Sequence, residues 1–415
     1  MTDKEFITKI EGHGRLHINW AKNKVALEIL EGERLFEGLL VSRSITEAPW
    51  ITSRICGVCP IAHNLASLKA AEAALHLKIS GSVRELRKLM LISQMIQSHV
   101  LHLYFLALPD YLNLDSGLEI SKKYPKIFKD ALILKEFSDE LAKAVAGRRV
   151  HPTTTALAGF HRYPEKAGLE KLAKKTATAL KAAENTVKLF LNLKYPKVEL
   201  PLVFFSLFDG REYAVYDGDW IVSSEGKRFK PAAYKKFIQE EIRGHSTAKF
   251  GQHQGKGFMV GAMARLNLQN NFLNPLAKKY FAMSQFNFKN PYFNNLGQAI
   301  EILHFSEEAA KLLKKLSQKE LKNARPPVLK FHKGKSGVGS IEAPRGTLYH
   351  ELKSDKNGLI ASANIVTPTV QNLTSIEEAA QNILDYSRKL PQKQREKLIE
   401  MLVRAYDPCI TCSVH

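Results

Sequence analysis

Apolar positions change their spacing several times along this chain, and each change predicts a different kind of element. Over residues 1 to about 50 they alternate or cluster among glycines, as in "KIEGHGRLHINW" and "KVALEIL", which predicts short strands and turns. From "HNLASLKAAEAALHL" onward the spacing becomes helical, and "GSVRELRKLMLISQMIQSHVLHLYFLALPD" predicts one long buried helix. Ser82 with Glu85 makes a capping box at its start, Leu86, Leu89, Ile96, Val100 and Leu103 carry its apolar positions, and Pro109 marks its end. Helical spacing holds to about residue 195. Between 200 and 270 aromatic residues and Asp-Gly turns crowd together, which predicts a small β-rich insertion. Helices resume over about 295 to 323. Strands and turns follow in "KSGVGSIEAPRGTLYHELKSDKNGLIASANIVTP", with a corner at Asp355-Lys356-Asn357-Gly358, and then two late helices.

The fold class expected is mainly α with smaller β-rich parts, α+β, around a central bundle of long helices. Its parts are an N-terminal β/turn segment (1–63), a helical core (64–195), the β-rich insertion (200–270) and a closing stretch of helices and strands (295–415). No internal repeat or low-complexity linker divides them, so the expectation is one intertwined body over 1–415.

Charge adds a question. Lysine and arginine number 61 against 41 acids, a net charge of +20. The lysines lie along helix-like segments such as "EKLAKKTATALKAAENTVKLF", between apolar positions, as solvated faces do. No zinc-finger spacing or RNA-binding signature accompanies the charge, so nucleic acid is not an expected partner and an acidic protein is a better one. The opening residues lack the apolar core of a secretory signal, and no segment approaches the roughly 18 uncharged apolar residues of a membrane span. A cytoplasmic protein with no direct membrane span is expected. "SGVGS" has neither the spacing nor the context of a dinucleotide fingerprint.

The candidate chemistry sits at the two ends. The 4 cysteines form two CxxC pairs, Cys56 with Cys59 and Cys409 with Cys412. Each pair puts two sulfurs on one side of a turn, close enough to share a metal or form a disulfide. Three readings compete. A thioredoxin-like redox motif needs a βαβ unit, which the pattern lacks. A four-cysteine zinc site clipping the termini together is possible. So is a catalytic centre for a soft, thiolate-loving metal with an open position. The residues beside the sulfurs favour the last: Arg54, Gly57, Pro60 and His63 at one end, Asp407, Pro408 and His415 at the other.

These two stretches, "RICGVCPIAH" and "DPCITCSVH", resemble the N-terminal and C-terminal nickel-binding motifs of the large subunit of nickel-iron hydrogenases, and agree at every fixed position. The resemblance continues through "IEGHGRL", "FEGLL", "APWITSR", "SHVLHLYFLALPD", "VGAMAR" and "EAPRG", and so spans the chain. It implies that Cys56 and Cys409 are terminal nickel ligands, and that Cys59 and Cys412 bridge nickel to an iron carrying carbon monoxide and cyanide. It implies reversible heterolytic cleavage of H2 to protons and electrons. Arg345 would be the guanidinium above the open metal position, and Glu11 the carboxylate that relays protons from terminal Cys409 toward solvent. Glu37 and His415, with a backbone carbonyl from "SANIVTP", would hold a magnesium or ferrous ion near the C-terminus.

Around these the resemblance implies supporting roles. His63 would bond a bridging sulfur, Asp407 would hold Arg345, and Pro344 would line the pocket of the iron's diatomic ligands. His99 and His102 are read as satisfied core histidines. Family precursors carry an extension after the terminal histidine, so a chain stopping at His415 resembles a mature form or a member needing no such cut. Ser98, where membrane-bound members have an acid, points to the cytoplasmic group linked to NAD(P), the deazaflavin F420 or sulfur compounds. All four cysteines are committed to one centre, so no iron-sulfur cluster or flavin is expected in this chain. Electrons would leave through an iron-sulfur small subunit, with further diaphorase or electron-transfer subunits beyond it. The alternatives are a metal-free coupling relative from respiratory complexes and the structural zinc protein.

Overall fold

Strand-forming residues near the start pair as expected from their alternation. A computed structural model describes residues 3–321, 329, 331 and 335–415, with backbone alone for 3–6. Strands β1 (Asp3–Phe6), β2 (Gly14–Asn19) and β3 (Lys24–Ile29) form an antiparallel sheet in that order. Two short helices, α1 (Phe36–Leu40) and α2 (Ala48–Thr52), lead to α3 (Pro60–Ala74) and the long α4 (Gly81–Leu101). Helix α4 packs with helices Pro125–Ala146, Lys166–Leu191 and Asn294–Ser317 into a bundle whose apolar interior also contains the four cysteines. The last of these stops at Ser317, short of the expected end at 323, which itself lies outside the described residues.

Helix α4 departs from its predicted ends in two ways. Its cap is Ser80, whose hydroxyl accepts from the Val83 N–H at 3.2 Å, because Gly81 and Ser82 both join the helix. Glu85 cannot complete a capping box, since Lys315 and Lys319 each hold it at 2.8 Å. Nor does Pro109 end the helix. A π-helical turn over His102–Ala107 leads into a further α turn, Leu108–Leu112, which stops at Asn113 in the left-handed conformation. Proline near the start of a new turn lacks only a donor that needs no helical partner there. The extended helix Gly81–Leu112 is consequently long and apolar enough to cross a membrane by length and composition, contrary to the sequence expectation. Its most apolar window is 83% buried inside the protein, as in a core helix.

The closing half positions the site. Strands Lys335–Ala343, Gly346–Ser354 and Ile360–Val366 form an antiparallel sheet, with Pro344 and Arg345 in the two-residue turn between Ala343 and its partner Gly346. The first strand lies directly on α3. A Cβ at Gly337 would meet the Ala70 carbonyl oxygen at 2.1 Å, and one at Gly339 the Ala66 carbonyl oxygen at 2.0 Å. The glycines of "SGVGS" thus let backbone approach backbone. Residues 200–270 carry short strands whose apolar cluster is completed by Tyr349 and Val366 of that sheet.

Finally the chain ends meet. Side chains of helix Pro368–Tyr386 accept from β3, Glu377 from the Leu27 N–H at 2.8 Å and Gln381 from the Val25 N–H at 3.2 Å. Glu11 pairs in parallel with Cys409, and the Ile410 N–H donates to the Glu11 carbonyl at 3.0 Å.

Candidate metal centre

Cys59 is the N-cap of α3, so the first pair rides on a helix start, while Cys412 lies in the single turn Ile410–Ser413. The fold brings all four sulfurs within 4.8 Å of one another, every one buried. Cys59 and Cys412 are 3.0 Å apart, Cys409 and Cys412 2.9 Å, Cys56 and Cys409 3.4 Å, and none is in a disulfide. Burial pushes the Cys409 and Cys412 thiols well up. Bonds from the Cys409, Cys412 and Cys59 thiols hold Cys56 well below its usual range. Burial alone therefore works against thiolates at Cys409 and Cys412. A bound soft cation is what would let all four coordinate as thiolates, and the donor set fits one.

Arg345 and Asp407 enclose one side. Arg345 Nε donates to the Asp407 carbonyl at 2.6 Å and to Asp407 Oδ1 at 3.0 Å, and its Nη2 reaches Oδ1 at 2.8 Å. Burial disfavours its charge, but Asp407 and the nearby sulfurs raise its pKa well above the usual value, so it stays cationic. Asp407 itself has φ 52°, a conformation aspartate tolerates better than most residues, and Gln298 donates to its other oxygen at 2.9 Å. Behind the turn, buried Arg265 donates to the carbonyls of Ala343 (3.1 Å) and Pro344 (3.0 Å) and pairs with Glu301 and Glu342. Glu301 is kept ionised, against burial, by the Arg265 charge and is pulled down to about 2. Pro344, Leu348, Pro368 and Thr369 line a small apolar cavity with Cys59 and Cys412.

On the opposite side Glu11 meets the second cysteine pair through Thr411. Thr411 Oγ1 donates to Glu11 Oε1 at 2.5 Å and lies 4.0 Å from the Cys409 sulfur and 3.8 Å from that of Cys56. His63 also lines the cavity, but its Nδ1 is engaged with His350 Nε2 at 3.1 Å. Burial lowers the His63 pKa to about 3, so it is neutral. His99 and His102 are buried and bonded to Glu301 and Gln298, at 2.8 and 2.5 Å.

A second convergence lies beyond Cys412. His415 Nε2 is 2.7 Å from the Ile365 carbonyl oxygen, and the Ile365 N–H donates to Glu37 Oε1 at 2.7 Å. Ile365 of "SANIVTP" thus links the two, its N–H donating to Glu37 and its carbonyl meeting His415. Sequence reasoning missed it, along with Thr411, Arg265, Glu301, His350 and Thr369, whose hydroxyl accepts from the Cys409 N–H at 2.9 Å. Thr411 carried a local signal in its place inside the second CxxC, and Arg265 one as the last residue of "VGAMAR".

The family model described as Nickel-dependent hydrogenase matches residues 34–156 and 212–415. Sulfhydrogenase 1 subunit alpha of Pyrococcus furiosus is 37% identical over 99% of this chain and 97% of its own length. NAD-reducing hydrogenase HoxS subunit beta of Cupriavidus necator is 27% identical over 99% and 93%. A crystal structure of an NAD+-reducing nickel-iron hydrogenase in the H2-reduced state superposes with a TM-score of 0.88 at 25% identity, with 100% of both chains covered.

Proposed function

This chain belongs to the nickel-dependent hydrogenase family as its hydrogen-activating large subunit, and we propose a division of labour among its residues on that basis. The observation that carries it is the cluster of four buried sulfurs drawn from opposite ends of the chain. A metal-free coupling relative would have no use for that cluster, and a zinc clip would not need a cationic arginine held against it.

In this reading the four cysteines would hold the nickel-iron pair, Cys56 and Cys409 as ligands of nickel alone and Cys59 and Cys412 as ligands shared with iron. When bound, the nickel-iron pair supplies an electron-accepting centre at which H2 splits heterolytically. Pro344 and Leu348, which line the small cavity, would border the carbon monoxide and cyanide carried by the iron. Arg345, fixed at two points by Asp407, presents a guanidinium that polarises H2 or takes up its proton. Cys409 passes protons outward through Thr411 to Glu11, which touches the hydroxyl directly. His63 bonds a bridging sulfur with the ring nitrogen that His350 leaves free. Glu37, His415 and the Ile365 carbonyl would hold a magnesium or ferrous ion near the C-terminus.

Electrons go to an iron-sulfur small subunit, because this chain has no cysteine beyond the four. A docking face is available near the cluster. Leu35, Leu39 and Val41 are 63%, 54% and 44% exposed, next to Arg34, whose N–H donates to the Val414 carbonyl. The names of the relatives, sulfhydrogenase and NAD-reducing hydrogenase, support a sulfur or nicotinamide acceptor, and further electron-transfer subunits and a cytoplasmic setting belong to the same proposal. The buried setting of helix Gly81–Leu112 supports the absence of a membrane span, and nothing in the site suits nucleic acid.

The proton route is tested by Glu11→Gln in the purified complex. Hydrogen uptake with an artificial acceptor should fall by roughly 100-fold while nickel and iron contents stay at wild-type ratios. Unchanged turnover would remove Glu11 from the route.

A further inference from the structure

We infer that His102 is a buried imidazolium and that, with Gln298, it positions Asp407 and through it the Arg345 guanidinium. The positioning role rests on the nickel-iron reading above, whereas the two ring protons rest on protein groups alone. His102 opens the π turn that follows α4. Its Nε2 lies 2.7 Å from the Arg404 carbonyl oxygen, and its Nδ1 2.5 Å from Gln298 Oε1. On the far side of the amide, Gln298 Nε2 donates to Asp407 Oδ2 at 2.9 Å. His102 and Gln298 are each 1% exposed and Asp407 2%, so no solvent competes for these bonds.

Both ring nitrogens face acceptors. A carbonyl oxygen can only accept, so Nε2 carries a hydrogen. At Nδ1 the outcome depends on which way the Gln298 amide points, since its nitrogen and oxygen differ only in their partners. The exchanged amide would set its oxygen against the Asp407 carboxylate, acceptor to acceptor, and lose a buried bond. Arg345 pairs with that carboxylate at 2.8 Å, so it is the ionised, acceptor-only form that Gln298 meets. The amide therefore keeps its nitrogen on Asp407 and its oxygen on His102. Nδ1 must then carry the second hydrogen.

The surroundings suit a cation. Arg404 lies in the last turn of helix Gln392–Ala405, where the carbonyl ends of the helix favour positive charge, and its own guanidinium is taken by Asp110 and Glu400. Asp407 Oδ2 is 3.9 Å from Nδ1, so the buried charge has a counter-ion. The same ring also braces the backbone, because the Arg404 carbonyl accepts from the Asp407 N–H at 2.9 Å as well as from His102. Asp407 is thus held at its carboxylate through Gln298 and at its N–H through Arg404. Its Oδ1 and carbonyl oxygen are left to grip Arg345.

The test has a direct arm and a functional one, both on the whole complex. Neutron diffraction from crystals exchanged into heavy water should show deuterium on both His102 nitrogens and two deuteriums on the Gln298 nitrogen facing Asp407. A single ring deuterium, or the amide reversed, would overturn the proposal. In the functional arm, His102→Phe and Gln298→Leu should each lower hydrogen uptake with an artificial acceptor by roughly 10-fold at wild-type nickel and iron content. Arg345→Lys already breaks the fork, so adding His102→Phe to it should change turnover by less than about twofold. A full loss in both backgrounds, or unchanged turnover in the single variants, would overturn the positioning role. So would variants that load no metal, because the pair would then serve assembly. A wild-type complex without nickel or iron would overturn the nickel-iron reading instead, and the positioning role with it, while leaving the deuterium count on His102 unaffected.

Discussion

The two cysteine pairs reach one point by different means. The first is placed by packing: Cys59 caps α3, and α3 is pressed against the strand Lys335–Ala343 with only glycine between their backbones. The second is placed by polar bonds from distant segments. Glu11 receives the Ile410 and Thr411 N–H groups, Thr369 receives that of Cys409, Arg34 donates to the Thr411 carbonyl, and His415 meets Ile365. A site built this way has one rigid half and one half that docks. Volume changes should hurt the first half most, and loss of individual bonds should hurt the second a little each time.

The largest effect should come from breaking the site where the halves meet. Cys412→Ser should abolish hydrogen uptake and lower both nickel and iron content, whereas a merely structural clip would show only reduced stability. Arg345→Lys keeps the charge but loses the fork that Asp407 grips, so turnover should fall roughly 10²–10³-fold with metal content unchanged. Next is the packed half. Gly339→Ala drives a methyl into the Ala66 carbonyl and should cost about 3 kcal/mol in denaturant unfolding. Smallest is the docked half, where Thr369→Val removes one bond to the Cys409 N–H and should cost about 1 kcal/mol by the same measurement. Reversal of the last two would mean that the second pair is the rigid one.

How much of this was legible in the sequence follows the same divide. The cysteines, Arg345, Asp407, Glu11, Glu37 and His415 sit in short local patterns, and the structure brings them to two neighbouring places. The helical middle was also readable, because its apolar spacing recurs over long segments. Single end positions were not. Ser80 and Ser82 are both good caps, and only the pairing of Glu85 with Lys315 and Lys319, more than 200 residues away, decides between them. The π turn before Pro109 was invisible for a similar reason, since a proline alone does not say whether the helix ends or changes register. Links such as Arg265 to the Pro344 carbonyl and His350 to His63 join residues distant in the chain, and no periodicity encodes them.

The account stands on one claim, that the four sulfurs hold nickel and iron together. Elemental analysis of the complex purified from its native host, combined with infrared spectra in the region of metal-bound carbonyl and cyanide, tests it directly. The account predicts nickel in equal amount to the chain, matching iron beyond that of any clusters, and the diatomic bands present. Zinc in place of nickel, with no such bands, would contradict it and leave a protein whose ends are joined by a structural metal.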